Sequence, residues 1–146
     1  MTQVRVTKKF TFETAHALYG YDGKCKNVHG HSYMLEVTLI GTPITDESDP
    51  KLGMVMDFGD LKKIVKSEVV NPWDHALLLY KNDPIQTGIP KDQKLLIVDY
   101  QPTCENMLID MVTKISNKLP GHVKLHNMRL HETATAYAEW YAADNT

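Results

Sequence analysis

The stretch His29-Gly30-His31-Ser32-Tyr33-Met34-Leu35-Glu36-Val37-Thr38-Leu39-Ile40 decides the fold. From Ser32 to Ile40 it is rich in β-branched and aromatic residues, and Tyr33, Leu35, Val37 and Leu39 fall on one side of an extended chain. Upstream, Val4, Val6, Phe10 and Phe12 alternate with Arg5, Thr7, Thr11 and Glu13, the pattern of a strand with one face buried. Between them Ala17–Val28, with Gly20, Asp22, Gly23 and Asn27, reads as a long hairpin loop. The two strands are expected to pair with Val6 opposite Ile40, which sets His16 beside His29 and His31 at the open end of the hairpin.

Downstream, Thr42–Gly53 carries Pro43, Pro50 and Gly53 and reads as a loop. Asp57 offers an N-cap to a helix with Leu61, Ile64, Val65 and Val69 at helical spacing, expected to end at Asn71-Pro72. Residues 76–94 are broken by Asn82, Pro84, Gly88 and Pro90 and predict no regular element, whereas Lys94–Asp99 reads as a short buried extended segment. Thr103 caps a second helix whose Leu108, Met111, Val112, Ile115 and Leu119 form one apolar stripe, closed by Pro120-Gly121. Val123–Leu130 and Thr135–Tyr141 read as closing strands. The expectation is a single α+β domain over 1–146, with an antiparallel four-stranded sheet, two helices on one face, and the order ββααββ.

Composition narrows the function. A chain of 146 residues with 42% hydrophobic and 23% charged residues is that of an ordinary globular domain. Its net charge of −2 argues against nucleic acid or an anionic membrane as partner. With no apolar block at the N-terminus and no disulfide framework in Cys25 and Cys104, a cytoplasmic protein is expected. Seven histidines are the compositional oddity.

Their densest cluster is Cys25-Lys26-Asn27-Val28-His29-Gly30-His31. On an extended segment His29 and His31 point to one face about 7 Å apart, and Gly30 between them lets the backbone bend. With His16 they supply three nitrogen ligands and leave a fourth tetrahedral position open, as in catalytic zinc sites. An isolated H-x-H is more often a pair of solvated loop residues; it is the placement of His16 that favours a metal. Cys25 reads either as a fourth, closing ligand or as a thiolate poised beside the ion, and Lys24 and Lys26 read as ordinary loop solubility. Asp74-His75 has the form of an orienting carboxylate–imidazole pair, although such a dipeptide is usually a satisfied polar pair. Glu132, at the end of a strand, could accept hydrogen bonds from a guanidine-like ring edge. Thr103 and Glu105 are explained by a helix start alone. His122 and His126 carry no assigned role, and Cys104 reads as a small core residue.

Together these pieces resemble the 6-pyruvoyl-tetrahydropterin and 6-carboxy-tetrahydropterin synthase family. The resemblance runs from Phe10 to Glu139. It rests on F-x-F-E-x-A-H ending at His16, C-x-x-x-H-G-H-x-Y over Cys25–Tyr33, M-D-F-x-x-L-K over Met56–Lys62, W-D-H at 73–75, P-T-x-E-N over Pro102–Asn106 and E-T-x-T-A over Glu132–Ala136. It implies the tunnelling fold, a homohexamer built as a dimer of trimers, and one zinc per chain on His16, His29 and His31. It also implies Cys25 as proton acceptor with Asp74 and His75 as its relay, Glu132 as anchor of the pterin ring, and Thr103 and Glu105 near that ring. The implied substrate is 7,8-dihydroneopterin triphosphate. Animal-type pyruvoyl members place five residues between the cysteine and H-G-H, bacterial carboxy members three, and a third branch has glutamate for the cysteine. Lys26, Asn27 and Val28 make three here, which points to 6-carboxy-tetrahydropterin, acetaldehyde as co-product, and 7-deazaguanine (queuosine) synthesis. Two departures stand out: Trp73 where leucine is usual, and a long stretch from Leu77 to Val98. A non-catalytic metal- or pterin-binding module would keep the histidines without a Cys25 relay. A zinc hydrolase is disfavoured by the absence of H-E-x-x-H.

Overall fold

The computed structural model describes residues 1–146. Two 13-residue strands, β1 (Val4–His16) and β2 (His29–Gly41), form its spine. Their inward residues Phe10, Phe12, Tyr33, Leu35, Val37 and Leu39 are buried, as the alternation requires, while Thr7, Lys9, Glu13 and Glu36 face the other way. The pairing differs from expectation by one residue: Val6 lies opposite Leu39, Ile40 opposite Arg5, and His16 opposite His29. The difference is large in effect, because a one-residue slip moves a whole strand's side chains to the other face. With Val6 against Ile40, His16 would have faced away from His29 and His31. The histidines also sit beside the connecting loop, not at the open end.

The sheet is mixed and six-stranded, in the order β4-β3-β1-β2-β5-β6, and this corrects the four-stranded antiparallel expectation. Strands β3 (Ala76–Tyr80) and β4 (Leu95–Val98) run parallel to β1 on its far side. β3 was hidden in sequence because it is short, whereas β4 falls within Lys94–Asp99, the stretch that reads as extended. Moreover, Leu77, Leu78 and Leu79 are all buried, so β3 shows the continuous apolar run of a strand covered on both faces rather than an alternation. β4 is a half-exposed edge, not a buried segment. β5 (Val123–His131) and β6 (Tyr137–Tyr141) close the other side antiparallel, with His126 the extra residue of a bulge opposite Thr38 and Leu39.

One face of the sheet is covered by two helical runs. The first begins at α1 (Phe58–Val65), where the Asp57 carboxylate accepts the Gly59 and Asp60 N–H groups, the cap expected. It does not stop before Pro72. A π turn over Lys66–Val70 lets Asn71 N–H reach the Lys66 carbonyl five residues back, and the chain continues through α2 (Asn71–Trp73). Pro72, lacking an N–H, is accommodated at the start of that last turn. The second run is α3 (Cys104–Ser116), capped by Thr103. Leu61, Val65, Val69, Trp73, Met107, Met111 and Ile115 complete one core of 24 buried residues against the sheet.

Candidate metal centre and adjoining pocket

At the loop end of the hairpin the inward face changes from apolar to imidazole. His16, His29 and His31 follow Phe12 and Tyr33 on the same side, because His16 pairs with His29 and Thr14 with His31. One ligand nitrogen from each ring lies within 4.8 Å of the other two. The Nε2 atoms of His16 and His29 are 3.0 Å apart. Their other nitrogens are already committed: His16 Nδ1 donates to the Pro102 carbonyl and His29 Nδ1 to the Asn27 carbonyl, both at 2.7 Å. A carbonyl can only accept, so both rings carry their proton on Nδ1 and turn Nε2 lone pairs toward each other. Two lone pairs so close repel unless a cation stands between them.

His31 makes the same case independently. Its Nε2 is buried without a hydrogen-bond partner, and the nearest carboxylate oxygen, Glu132 Oε1, is 3.8 Å away. Orphaned buried nitrogens are rare in folded chains. Burial, together with its imidazole neighbours, pushes His16 down to about 4 against the raising effect of the Pro102 carbonyl. Burial also lowers His31. Both shifts favour the neutral imidazole, the state a ligand must have. A tetrahedral ion with nitrogen bonds of about 2.0–2.1 Å needs nitrogens roughly 3.3 Å apart. The His16–His29 pair is close to that at 3.0 Å, the His31 nitrogen lies within 4.8 Å of both, and three such ligands leave a fourth position open.

Cys25 lies in a short 3-10 turn, Lys24–Lys26, half-buried and outside that group of ligand atoms. Asp74 and His75 follow directly on α2. Asp74 Oδ1 accepts the Glu13 N–H at 2.9 Å and lies 3.1 Å from His75 Nδ1. These contacts, the Glu13 amide first, hold the Asp74 carboxyl below its usual range. His75 has φ +61°, uncommon for a residue with a side chain. Its ring opens on a cleft of about 370 Å³ lined by Glu13, Ala15, Gly30 and Ser32. Those residues alternate with the histidines, so the cleft lies mainly on the opposite face of the sheet, with Thr14 and His31 also on its border. No hydrogen bond joins Cys25 to Asp74 or His75. Gly30 is not sterically required, since a Cβ there would meet only Thr14 O at 3.6 Å and Ala15 at 3.9 Å.

Beyond His31 the inward face continues into a pocket of about 510 Å³ lined by Cys104, Glu105, Glu132, Ala136, Tyr137 and Glu139. Thr103 does not line it; its hydroxyl caps α3 through the Asn106 N–H at 3.2 Å. Cys104 is a wall of the pocket rather than a core residue. Its thiol donates to the Leu130 carbonyl at 3.4 Å and is pushed up to about 11 by burial and by Glu132. It therefore stays protonated, and nothing in its local sequence marked it. The Tyr33 phenol, buried under both regions, is held far above its usual range by burial and Glu132. The largest cavity, about 630 Å³, is at the far end of the sheet near Gln3, Thr42 and His122 and gathers no comparable group.

Comparison with known proteins agrees with this geometry. The model of the 6-pyruvoyl tetrahydropterin synthase family matches residues 5–143. A 6-carboxy-5,6,7,8-tetrahydropterin synthase of Haemophilus influenzae is 35% identical over 141 residues, 93% of this chain and 97% of that one. A 6-pyruvoyl tetrahydrobiopterin synthase of Pongo abelii is 32% identical over 143 residues, 90% of this chain and 86% of that one. The solved structure of 6-pyruvoyl tetrahydropterin synthase from Caenorhabditis elegans superposes with a TM-score of 0.69 at 27% identity, covering 97% of each chain. A three-histidine group with an open side, an adjoining carboxylate pocket and a match over nearly the whole chain lead to one conclusion: the chain belongs to the 6-pyruvoyl tetrahydropterin synthase family.

Proposed function

We propose that this protein is a zinc-dependent lyase that converts 7,8-dihydroneopterin triphosphate to 6-carboxy-5,6,7,8-tetrahydropterin, releasing acetaldehyde and triphosphate, for 7-deazaguanine synthesis. The observation that carries the reading is the junction at His31. Its unpartnered Nε2 is 3.8 Å from Glu132 Oε1, so a metal position and a ring-anchoring carboxylate adjoin. The name of the Haemophilus relative supports the carboxy branch, as does the three-residue spacing of Cys25 from His29.

His16, His29 and His31 would hold the zinc, which when bound supplies Lewis-acid polarisation of the substrate's side-chain oxygens. Glu132 accepts hydrogen bonds from the ring's N–H edge and fixes the reacting carbon within reach, with Glu105 lining the same pocket and Thr103 capping the helix that carries Glu105. Cys25 takes the proton from the side chain, and His75, oriented by Asp74, carries it on. Because His75 opens on the face opposite the histidines, the relay joins Cys25 of one copy to Asp74-His75 of a second.

The 32% identity to a pyruvoyl-type enzyme keeps that activity as the second reading. Incubation with dihydroneopterin triphosphate decides between them. Carboxy-tetrahydropterin by mass with trapped acetaldehyde is the expected result. Pyruvoyl-tetrahydropterin without acetaldehyde would select the other branch, and ligand binding without turnover would make this a pterin-binding module.

A further inference from the structure

Gln101 sits in the connector between β4 and α3, and its carboxamide meets the backbone of Tyr19, 82 residues earlier. Oε1 accepts the Tyr19 N–H at 2.8 Å, and Nε2 donates to the Tyr19 carbonyl at 2.7 Å. One side chain thus takes both main-chain groups of one residue, as a neighbouring strand would. The same connector is tied to the site in two other ways. The Gln101 carbonyl accepts Asn106 Nδ2–H at 3.0 Å and Thr103 N–H at 2.7 Å, at the start of α3. The next carbonyl, Pro102, accepts His16 Nδ1–H at 2.7 Å.

Tyr19 lies in the loop that carries Cys25. On the far side of Cys25 that loop is held by the Asn27 carbonyl, which accepts His29 Nδ1–H, and by Asn27 N–H to the Lys24 carbonyl at 3.1 Å, but its near side has few other anchors. Its strongest internal bond runs from Leu18 N–H to the Cys25 carbonyl at 2.9 Å. Contacts Tyr21–Leu18 and Lys26–Gly23 are longer, at 3.4 Å. Holding Tyr19 therefore holds its neighbour Leu18, and through it the backbone of Cys25. We propose that Gln101 is a positioning residue for Cys25: its carboxamide locks the 17–28 loop onto the connector that also orients His16, setting the thiol's place relative to the three histidines. The inference rests on the reading of Cys25 as the proton-transfer group. Only an amide serves. Glutamate has nearly the same shape but presents an oxygen to the Tyr19 carbonyl, and alanine presents nothing.

The test compares Gln101→Glu, Gln101→Ala and Cys25→Ala with the unmodified protein. For both Gln101 variants kcat should fall by about ten- to a hundredfold, the range expected for a displaced reacting group. KM and bound metal should stay near the starting values, and amide hydrogen exchange at Leu18 and Tyr19 should accelerate. If Gln101→Ala does not fold, the near-isosteric Gln101→Glu carries the same expectation. Unchanged kcat in a folded variant overturns the proposal, with or without faster exchange, and so does a kcat loss without faster exchange. Cys25→Ala keeping full turnover would defeat the reading of Cys25 instead, a result distinct from failure of the Gln101 clamp.

Discussion

At the scale of single residues, the site is a problem of unmet nitrogens and their protons. His16 and His29 are locked as Nδ1–H tautomers by the Pro102 and Asn27 carbonyls, and His31 Nε2 has no partner. Loss of one imidazole breaks a three-nitrogen site, whereas loss of Cys25 does not touch it. His29→Ala should therefore release the metal, and Cys25→Ala should retain it while turnover drops by about 10²- to 10⁴-fold; metal content by atomic emission beside single-turnover rates checks both. Zinc lost from Cys25→Ala would make the cysteine a ligand. The same residues set an acid dependence in metal-free protein. His16 keeps its neutral form in the fold down to about 4, while in the unfolded chain it takes a proton near 6.5. Between those values the unfolded chain binds more protons, so the contribution of His16 to stability is full above pH 6.5 and is lost as pH falls toward 4. Urea midpoints of chelator-stripped protein should fall across that window, and His16→Asn should flatten the slope. His31, also lowered by burial, leaves a residual slope.

At the scale of elements, legibility follows how much of a segment's burial pattern is local. β1, β2 and α3 were readable because each buries one face and so shows the period of 2 or 3.6. β3 was not, since it is buried on both faces; β4 was legible as an extended stretch over 94–99 but not as a half-exposed parallel edge. The hairpin register was misjudged by one, although parity alone excludes the pairing of His16 with Gly30 if three imidazoles are to share a face. The π turn had no sequence signal beyond Pro72, because what carries the helix past Asn71 is tertiary. Trp73 is 2% exposed in the core, and its carbonyl takes the hydroxyl of buried Thr14 at 2.9 Å. Burying that indole pulls the last turn in and delivers Asp74 and His75 to the edge of β1. Trp73→Ala should cost about 3–5 kcal/mol in denaturant unfolding, as for other large-to-small core changes. Trp73→Leu, which keeps a large apolar side chain, should cost less. A loss within about 0.5 kcal/mol for alanine, typical of surface changes, would contradict the packing.

At the scale of the whole molecule, the sheet is unfinished. β3 pairs with β1 only at Thr14–His16, so one edge of β1 from Val4 to Glu13 has no neighbour, and the outer edge of β6 has none either. Val4, Met54 and Phe58, all more than 40% exposed, flank the free part of β1 in an apolar cleft of about 420 Å³. Besides the short β4 edge, these two longer open stretches are a liability in a lone chain, and head-to-tail pairing of copies into a closed ring covers both. The proposed relay, with His75 opening mainly on the face away from the histidines, calls for the same assembly. Both demands meet in one experiment. Sedimentation at micromolar concentration should give a particle several times the 16.6 kDa chain, a hexamer if two trimeric rings stack. Cys25→Ala and His75→Ala, each inactive alone, should regain activity when unfolded and refolded together, because mixed rings contain sites with an intact Cys25 facing an intact His75 across a boundary. If one type of boundary forms at random, about a quarter of sites are restored, since each of the two positions is intact with a chance of one half. A monomer in sedimentation would remove the ring. A ring whose mixed forms stay inactive would place the relay within a single chain, and the outward cleft at His75 would then have to serve some purpose other than proton transfer.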